Sequence, residues 1–160
     1  MTKIRTGQGI DFHKFKEGLD LWIGGVRIPW NKGCIAHSDG DVLLHAICDA
    51  LLGAAGLNDI GHYFPDSSSE FKNIRSTDLL RRTYDIIREK GFQVSNIDST
   101  VCLEKPKIAD FIPEMKEIIA VIVNTDIDSV SIKATTTEKM GFTGREEGIV
   151  ALASVLLEKA

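Results

Sequence analysis

Cysteine is scarce in this chain of 160 residues, and its three copies, Cys34, Cys48 and Cys102, form no CxxC pair. An odd number without paired spacing argues against a disulfide framework and fits free thiols in a reducing compartment. Long apolar runs are also missing, since no stretch reaches the roughly 18 residues that a membrane-spanning helix needs. The opening MTKIRTGQGIDFH has neither the apolar core of a secretory leader nor the Arg/Ser-rich character of a transit segment. A cytoplasmic location is therefore expected. Positive charge is in deficit as well: 19 Lys and Arg stand against 23 Asp and Glu, a net charge of −4. Nucleic acid and anionic membrane both require clustered basic residues, so neither partner is expected, and any anionic ligand must be met locally.

What is present is ordinary globular material, 43% hydrophobic and 26% charged, near the average for folded domains. No linker, repeat or low-complexity tract divides it, so a single domain over 1–160 is the simplest organisation. Residues 3–13 read as a strand, and LDLWIGGVRIPW (19–30) reads as a hairpin turning at Gly24-Gly25. Helical patterns are expected over 39–56, 77–90, 110–124 and 146–159, and strands over 92–103 and 128–136. Ser76 and Gly91 mark the ends of the second helix. This order predicts an α+β domain with one layer of helices on one mixed sheet.

The segment AHSDGDVLLHAICDALLGAAG (36–56) raises the chemical question, because polar residues crowd the start of an otherwise apolar helix. Asp41, His45 and Asp49 fall at i, i+4 and i+8, a single polar stripe. One reading of Asp41 and His45 is a surface ion pair. His37 and Ser38 precede the helix, where free backbone N–H groups favour an anion, and Ser38 or Asp39 also suits the N-cap. In GIDFH, Asp11 and His13 lie two apart on a predicted strand and leave the same face. Joined to His45 they form two imidazoles and a carboxylate, a donor set suited to a catalytic zinc with an open position. His62 has no such partners and reads as a surface or packing histidine.

A third stretch, KATTTEKMGFTGREEG (133–148), gathers hydroxyls, backbone donors at glycines, a carboxylate for a hard divalent ion and a guanidinium. Phosphate handling is the functional reading, and a polar strand end running into a glycine turn is the structural one. The GxxxxGK[ST] pattern of a P-loop is absent.

Together, GIDFH, IGGVRIP (23–29), HSDGDVLLHAICDALLGAAGLNDIG (37–61), FPD (64–66) and KATTTEKMGFTGREEG resemble, in order and from end to end, the 2-C-methyl-D-erythritol 2,4-cyclodiphosphate synthase family. The resemblance implies a phosphorus–oxygen lyase of the non-mevalonate isoprenoid pathway. Its substrate would be 4-diphosphocytidyl-2-C-methyl-D-erythritol 2-phosphate, closed to the cyclic diphosphate with release of CMP. It further implies a homotrimer with sheets packed around the threefold axis and active sites shared between chains. A metal-dependent phosphohydrolase and a non-catalytic isoprenoid-diphosphate binding module are the alternatives.

Position by position, the resemblance makes Asp11, His13 and His45 zinc ligands, and Glu138 the ligand of a second divalent ion, Mg²⁺ or Mn²⁺. His37 and Thr136 correspond to transition-state stabilisers, and Ser38 to a phosphate contact. Asp59, Ile60 and Gly61 correspond to the methylerythritol site, and Phe64, Pro65, Asp66, Ser67 and Ser68 to a loop closing over it. Lys107, Ile108 and Ala109, with Ala134 and Thr135, correspond to the cytidine pocket. Phe12 and Thr137 are also expected among the substrate contacts. Phe142 and Arg145 match positions at a central cavity that in some members binds isoprenoid diphosphates. The chain departs from the commonest pattern at Ser67-Ser68 and in LEKPK (103–107), where Glu104 and Lys105 bring charge beside the base pocket.

Overall fold

Alternation of inward and outward side chains extends the first strand beyond 3–13. In the computed structural model, which describes residues 3–65 and 67–160, β1 runs Ile4–Glu17. Its outer neighbour is the short β4 (Lys32–Cys34), which the sequence reading did not contain. On its other side lies β7 (Gly148–Lys159), followed by β5 (Phe92–Cys102) and β6 (Val130–Thr135), giving the order β4-β1-β7-β5-β6. Only β5 and β6 are parallel, and a helix, α4 (Ile112–Ile122), makes the crossover that a parallel pair requires. The expected hairpin is the separate pair β2 (Leu21–Ile23) and β3 (Val26–Ile28). Its turn needs two left-handed residues, and Gly24 and Gly25 adopt φ of 61° and 82°.

Within 146–159, expected to be helical, Gly148–Lys159 form a strand. Ile149, Ala151, Ala153, Val155 and Leu157 are buried under the helices, and Val150, Leu152 and Leu156 occupy the other face. Apolar residues on both faces erase the alternation that marks a strand, leaving a run equally compatible with a buried helix. Central pairing with both β1 and β5 decides the matter.

The long helices α1 (Val42–Ala55), α3 (Ser76–Glu89) and α4 lie on one side of the sheet. The central one, α1, packs on β1 and β7 and meets α3 on its far side, which explains why nearly all of its side chains are apolar. Gly7 and Gly9 bring strand and helix together: a Cβ on either would lie inside contact distance of the Ala50 or Ala46 carbonyl of α1. α3 shows a conventional buried stripe, Leu79, Leu80, Thr83, Tyr84 and Ile87. The opposite face of the sheet is not covered by these long helices and exposes Ile4, Ile10, Phe12 and Leu152. No helix among the described residues is long and apolar enough to cross a membrane.

Candidate active site

The polar stripe of α1 acts as three tethers. Asp41 is fully buried, not a surface ion-pair partner: Oδ1 accepts the N–H groups of Gly24 at 2.9 Å and Leu44 at 3.1 Å, and Oδ2 accepts Gly25 N–H at 2.7 Å. It is thus the N-cap of α1, a role the sequence reading gave to Ser38 or Asp39, and it staples the hairpin to the helix. Burial raises its carboxyl above the ordinary range, the three N–H bonds oppose this, and neighbouring Asp39 adds to it. Asp49, two turns on, accepts Ile60 N–H at 2.8 Å. This bond ties down α2 (Ile60–Tyr63), whose N-cap is Asp59. Between them, His45 faces β1.

There the Asp11, His13 and His45 ligand atoms lie within 4.8 Å of one another. Asp11 Oδ2 is 3.2 Å from His45 Nδ1 and 3.4 Å from His13 Nδ1. His13 Nδ1 also lies 2.7 Å from the Phe12 carbonyl, while its Nε2 is buried with no hydrogen-bond partner. A ring that donates Nδ1–H to a carbonyl and holds out a bare, buried Nε2 is arranged as metal ligands are. Burial works to discharge His45, but Asp11 and, beyond it, Asp41 and Asp39 outweigh burial and hold its pKa above the ordinary histidine value. The same excess of negative charge favours a divalent cation.

A cavity of about 230 Å³ opens beside the triad, and its walls include His37, Ser38, Ile60, Gly61 and Phe64. Phe71, Ile74 and Leu79 complete the apolar side, residues that no motif had indicated. Ser76 was read only as a helix end, yet its hydroxyl lies 3.0 Å from His45 Nε2 and donates to Asp39. Asp59 and His62 are exposed nearby, and Ser68 caps a short 3₁₀ turn by accepting Glu70 N–H at 3.3 Å. Pro65 is half-buried and Ser67 exposed, and Asp66 falls outside the described residues.

A second cavity, of about 410 Å³, is lined by Lys107, Ile108, Ala109, Ala134, Thr135, Thr136 and Glu138, together with Glu104. Glu138 and Lys139 hold left-handed backbone, φ 53° and 66°, an uncommon geometry for such residues. Thr136 Oγ1 donates to Glu138 Oε1 at 3.4 Å, and Glu104 accepts Lys139 N–H at the same distance. Lys105 turns away to pair with Glu146. Thr137 braces the turn through Met140 O and Thr143.

No residue lines both cavities. Asp11 lies opposite Ala151, Ala151 opposite Val101, and Val101 opposite Ala134. The two halves therefore share one transverse row, separated by three strand spacings, about 14 Å. Phe12 leaves the other face of β1 and faces Phe142 at 6.2 Å between ring centroids, forming part of a separate groove. Arg145 is exposed and bound to Glu147 at 2.8 Å.

The chain matches the model of the YgbB family over residues 4–158. A relative from Bacteroides thetaiotaomicron named 2-C-methyl-D-erythritol 2,4-cyclodiphosphate synthase is 56% identical over 157 residues, covering 98% of this chain and 99% of that one. The bifunctional IspDF of Campylobacter jejuni superposes with a TM-score of 0.96 at 48% identity, covering 100% of this chain, which spans only 43% of that longer protein. A Plasmodium falciparum IspF solved as a CDP complex gives a TM-score of 0.85 at 36% identity, with 98% and 96% of the two chains covered. By sequence and by structure, this chain belongs to the YgbB family, that of the 2-C-methyl-D-erythritol 2,4-cyclodiphosphate synthases.

Proposed function

We propose that this chain converts 4-diphosphocytidyl-2-C-methyl-D-erythritol 2-phosphate to 2-C-methyl-D-erythritol 2,4-cyclodiphosphate and CMP. The observation that carries the reading is the convergence of Asp11, His45 and the unpartnered, buried His13 Nε2 on one point beside a cavity. Two nitrogens and one oxygen suit zinc with a position left for substrate. Glu138 offers a hard oxygen of the kind that Mg²⁺ or Mn²⁺ shares with substrate phosphates. When bound, these ions neutralise the diphosphate and polarise it as Lewis acids.

The attacking group is the substrate's own 2-phosphate oxygen, which forms a bond to the β-phosphorus as the bond to the α-phosphate oxygen breaks and CMP leaves with the electron pair. That oxygen is anionic near neutral pH, so the protein needs no strong base, and its task reduces to alignment and charge stabilisation. His37 and Thr136 supply hydrogen bonds where charge develops. Cytidine fits the second cavity, against Lys107, Ile108, Ala109, Ala134 and Thr135. The methylerythritol unit fits the first, against Ile60 and Gly61. Incubation with the cytidyl substrate, followed by phosphorus NMR, is expected to give CMP and the cyclic diphosphate in equal amounts. Inorganic phosphate or an open-chain product would instead indicate hydrolysis.

The assembly that best joins the two half-sites is a homotrimer with a site at each junction. Its support is the apolar, uncovered sheet face together with the separation of the two cavities within one chain. The groove of about 620 Å³ beside Phe12 and Phe142, with Arg145 nearby, would then face the trimer's central cavity and suit an isoprenoid diphosphate. For the second ion, Glu138→Gln preserves shape and removes the charge. Turnover is expected to fall by about a hundredfold, with zinc content unchanged, because a hard cation loses an anionic protein ligand. Unchanged turnover at limiting magnesium rejects that role.

A further inference from the structure

The second ring nitrogen of His45 is met by side chains, whereas that of His13 is met by main chain. His45 Nε2 lies 3.0 Å from Ser76 Oγ and 3.1 Å from Ser38 Oγ. Of the two hydroxyls, Ser76 has its proton committed, because it donates to Asp39 Oδ1. Ser76 Oγ can therefore offer Nε2 nothing but a lone pair. With the ring hydrogen on Nε2, both hydroxyl oxygens act as acceptors for it and Nδ1 is left bare where it faces Asp11 at 3.2 Å. A bare imidazole nitrogen is the form that binds a metal.

Asp39 is itself held from several directions. Ser76 N–H donates to its Oδ2 at 3.0 Å, Asp41 N–H donates to Oδ1 at 3.3 Å, and Arg75 Nε lies 3.3 Å from Oδ2. The Arg75 guanidinium in turn covers the Trp22 ring at 3.9 Å, joining the β2–β3 hairpin to the group. Ser76 is fully buried and the Asp39 side chain only 8% exposed, so water does not readily replace either partner.

We propose that Ser76 and Asp39 are positioning residues for His45: a carboxylate–hydroxyl–imidazole relay that fixes its tautomer and ring orientation and thereby sets the triad's affinity for zinc. The relay rests on the zinc reading of the triad given above. Partners of this kind behind a ligating histidine typically contribute about 10- to 100-fold in metal affinity.

The test measures zinc affinity by competition with a chromophoric chelator, and the visible spectrum of the cobalt-loaded protein. Wild type, Ser76→Ala, Ser76→Thr and Asp39→Asn are compared, with thermal melting of each metal-free protein as the fold control. Ser76→Ala is expected to weaken zinc binding about 10- to 100-fold and to alter the cobalt spectrum. Ser76→Thr, which keeps the hydroxyl, is expected to restore both. In Asp39→Asn the amide can donate to Ser76, turn the hydroxyl proton toward Nε2 and favour the wrong tautomer, so its loss should at least equal that of Ser76→Ala. Wild-type affinity and spectrum in Ser76→Ala overturn the relay, even if the variant melts at a lower temperature, because the hydroxyl would then be purely structural. Should Asp39→Asn fail to fold, the Ser76 pair decides. Absence of zinc binding in the wild type overturns the metal reading and the relay together, whereas tight wild-type binding unchanged in the variants overturns the relay alone.

Discussion

Replacing His45 with alanine is expected to strip zinc from the triad and to lower turnover by about a thousandfold or more, since Lewis-acid stabilisation worth several kcal/mol is lost. The loss is expected without unfolding. Asp41 still caps α1 and holds Gly24 and Gly25, and the apolar sides of the helix remain packed on β1 and β7. A catalytic metal, unlike a structural one, sits in a frame that the core already supports. Elemental analysis beside circular dichroism checks the prediction: a folded variant that retains one zinc per chain would remove His45 from the ligand set.

Two inactive variants should rescue each other. In the proposed trimer, His45→Ala would damage the zinc half of the site and Thr136→Ala the nucleotide half, and every zinc half would meet a neighbour's nucleotide half. After unfolding and reassembly in equal amounts, random mixing places two intact halves together at about one junction in four. Activity is expected to return to about a quarter of the unmutated level by the same statistics. If each site were contained in one chain, every site would keep a defect and nothing would return. Lack of recovery after verified subunit exchange, or a monomeric mass for the active protein, would overturn the shared-site arrangement.

The parts of the fold that could be read from sequence are those whose cause is local. The Gly24-Gly25 turn, the amphipathic α3 and the alternation of Val130 and Ile132 each carry their own periodicity or backbone requirement. Asp11 and His13 share a face because strand geometry dictates it, and His45 meets them because α1 lies along β1. What stayed hidden depends on distant partners. Residues 148–159 are apolar on both faces, so only pairing with β1 and β5 distinguishes strand from helix. Asp41 resembles half of an ion pair until the hairpin supplies donors from 16 and 17 residues away. Ser76 reads as a helix start, and its place behind His45, 31 residues earlier, depends on how α3 crosses α1.

The close approach at Gly7 and Gly9 has a consequence for the ligand set. Where side chains separate a strand from a helix, each exchange of Leu for Met or Val for Ile alters the gap, and any ligand set that spans it drifts with the core. Here the gap between β1 and α1 is set by main chain against main chain, with the Ala46 and Ala50 carbonyls as the stop. The mutual distances of Asp11, His13 and His45 therefore depend on these two backbone contacts more directly than on the size of any one apolar side chain. A side chain at Gly7 or Gly9 would push β1 away from α1 and carry Asp11 and His13 away from His45.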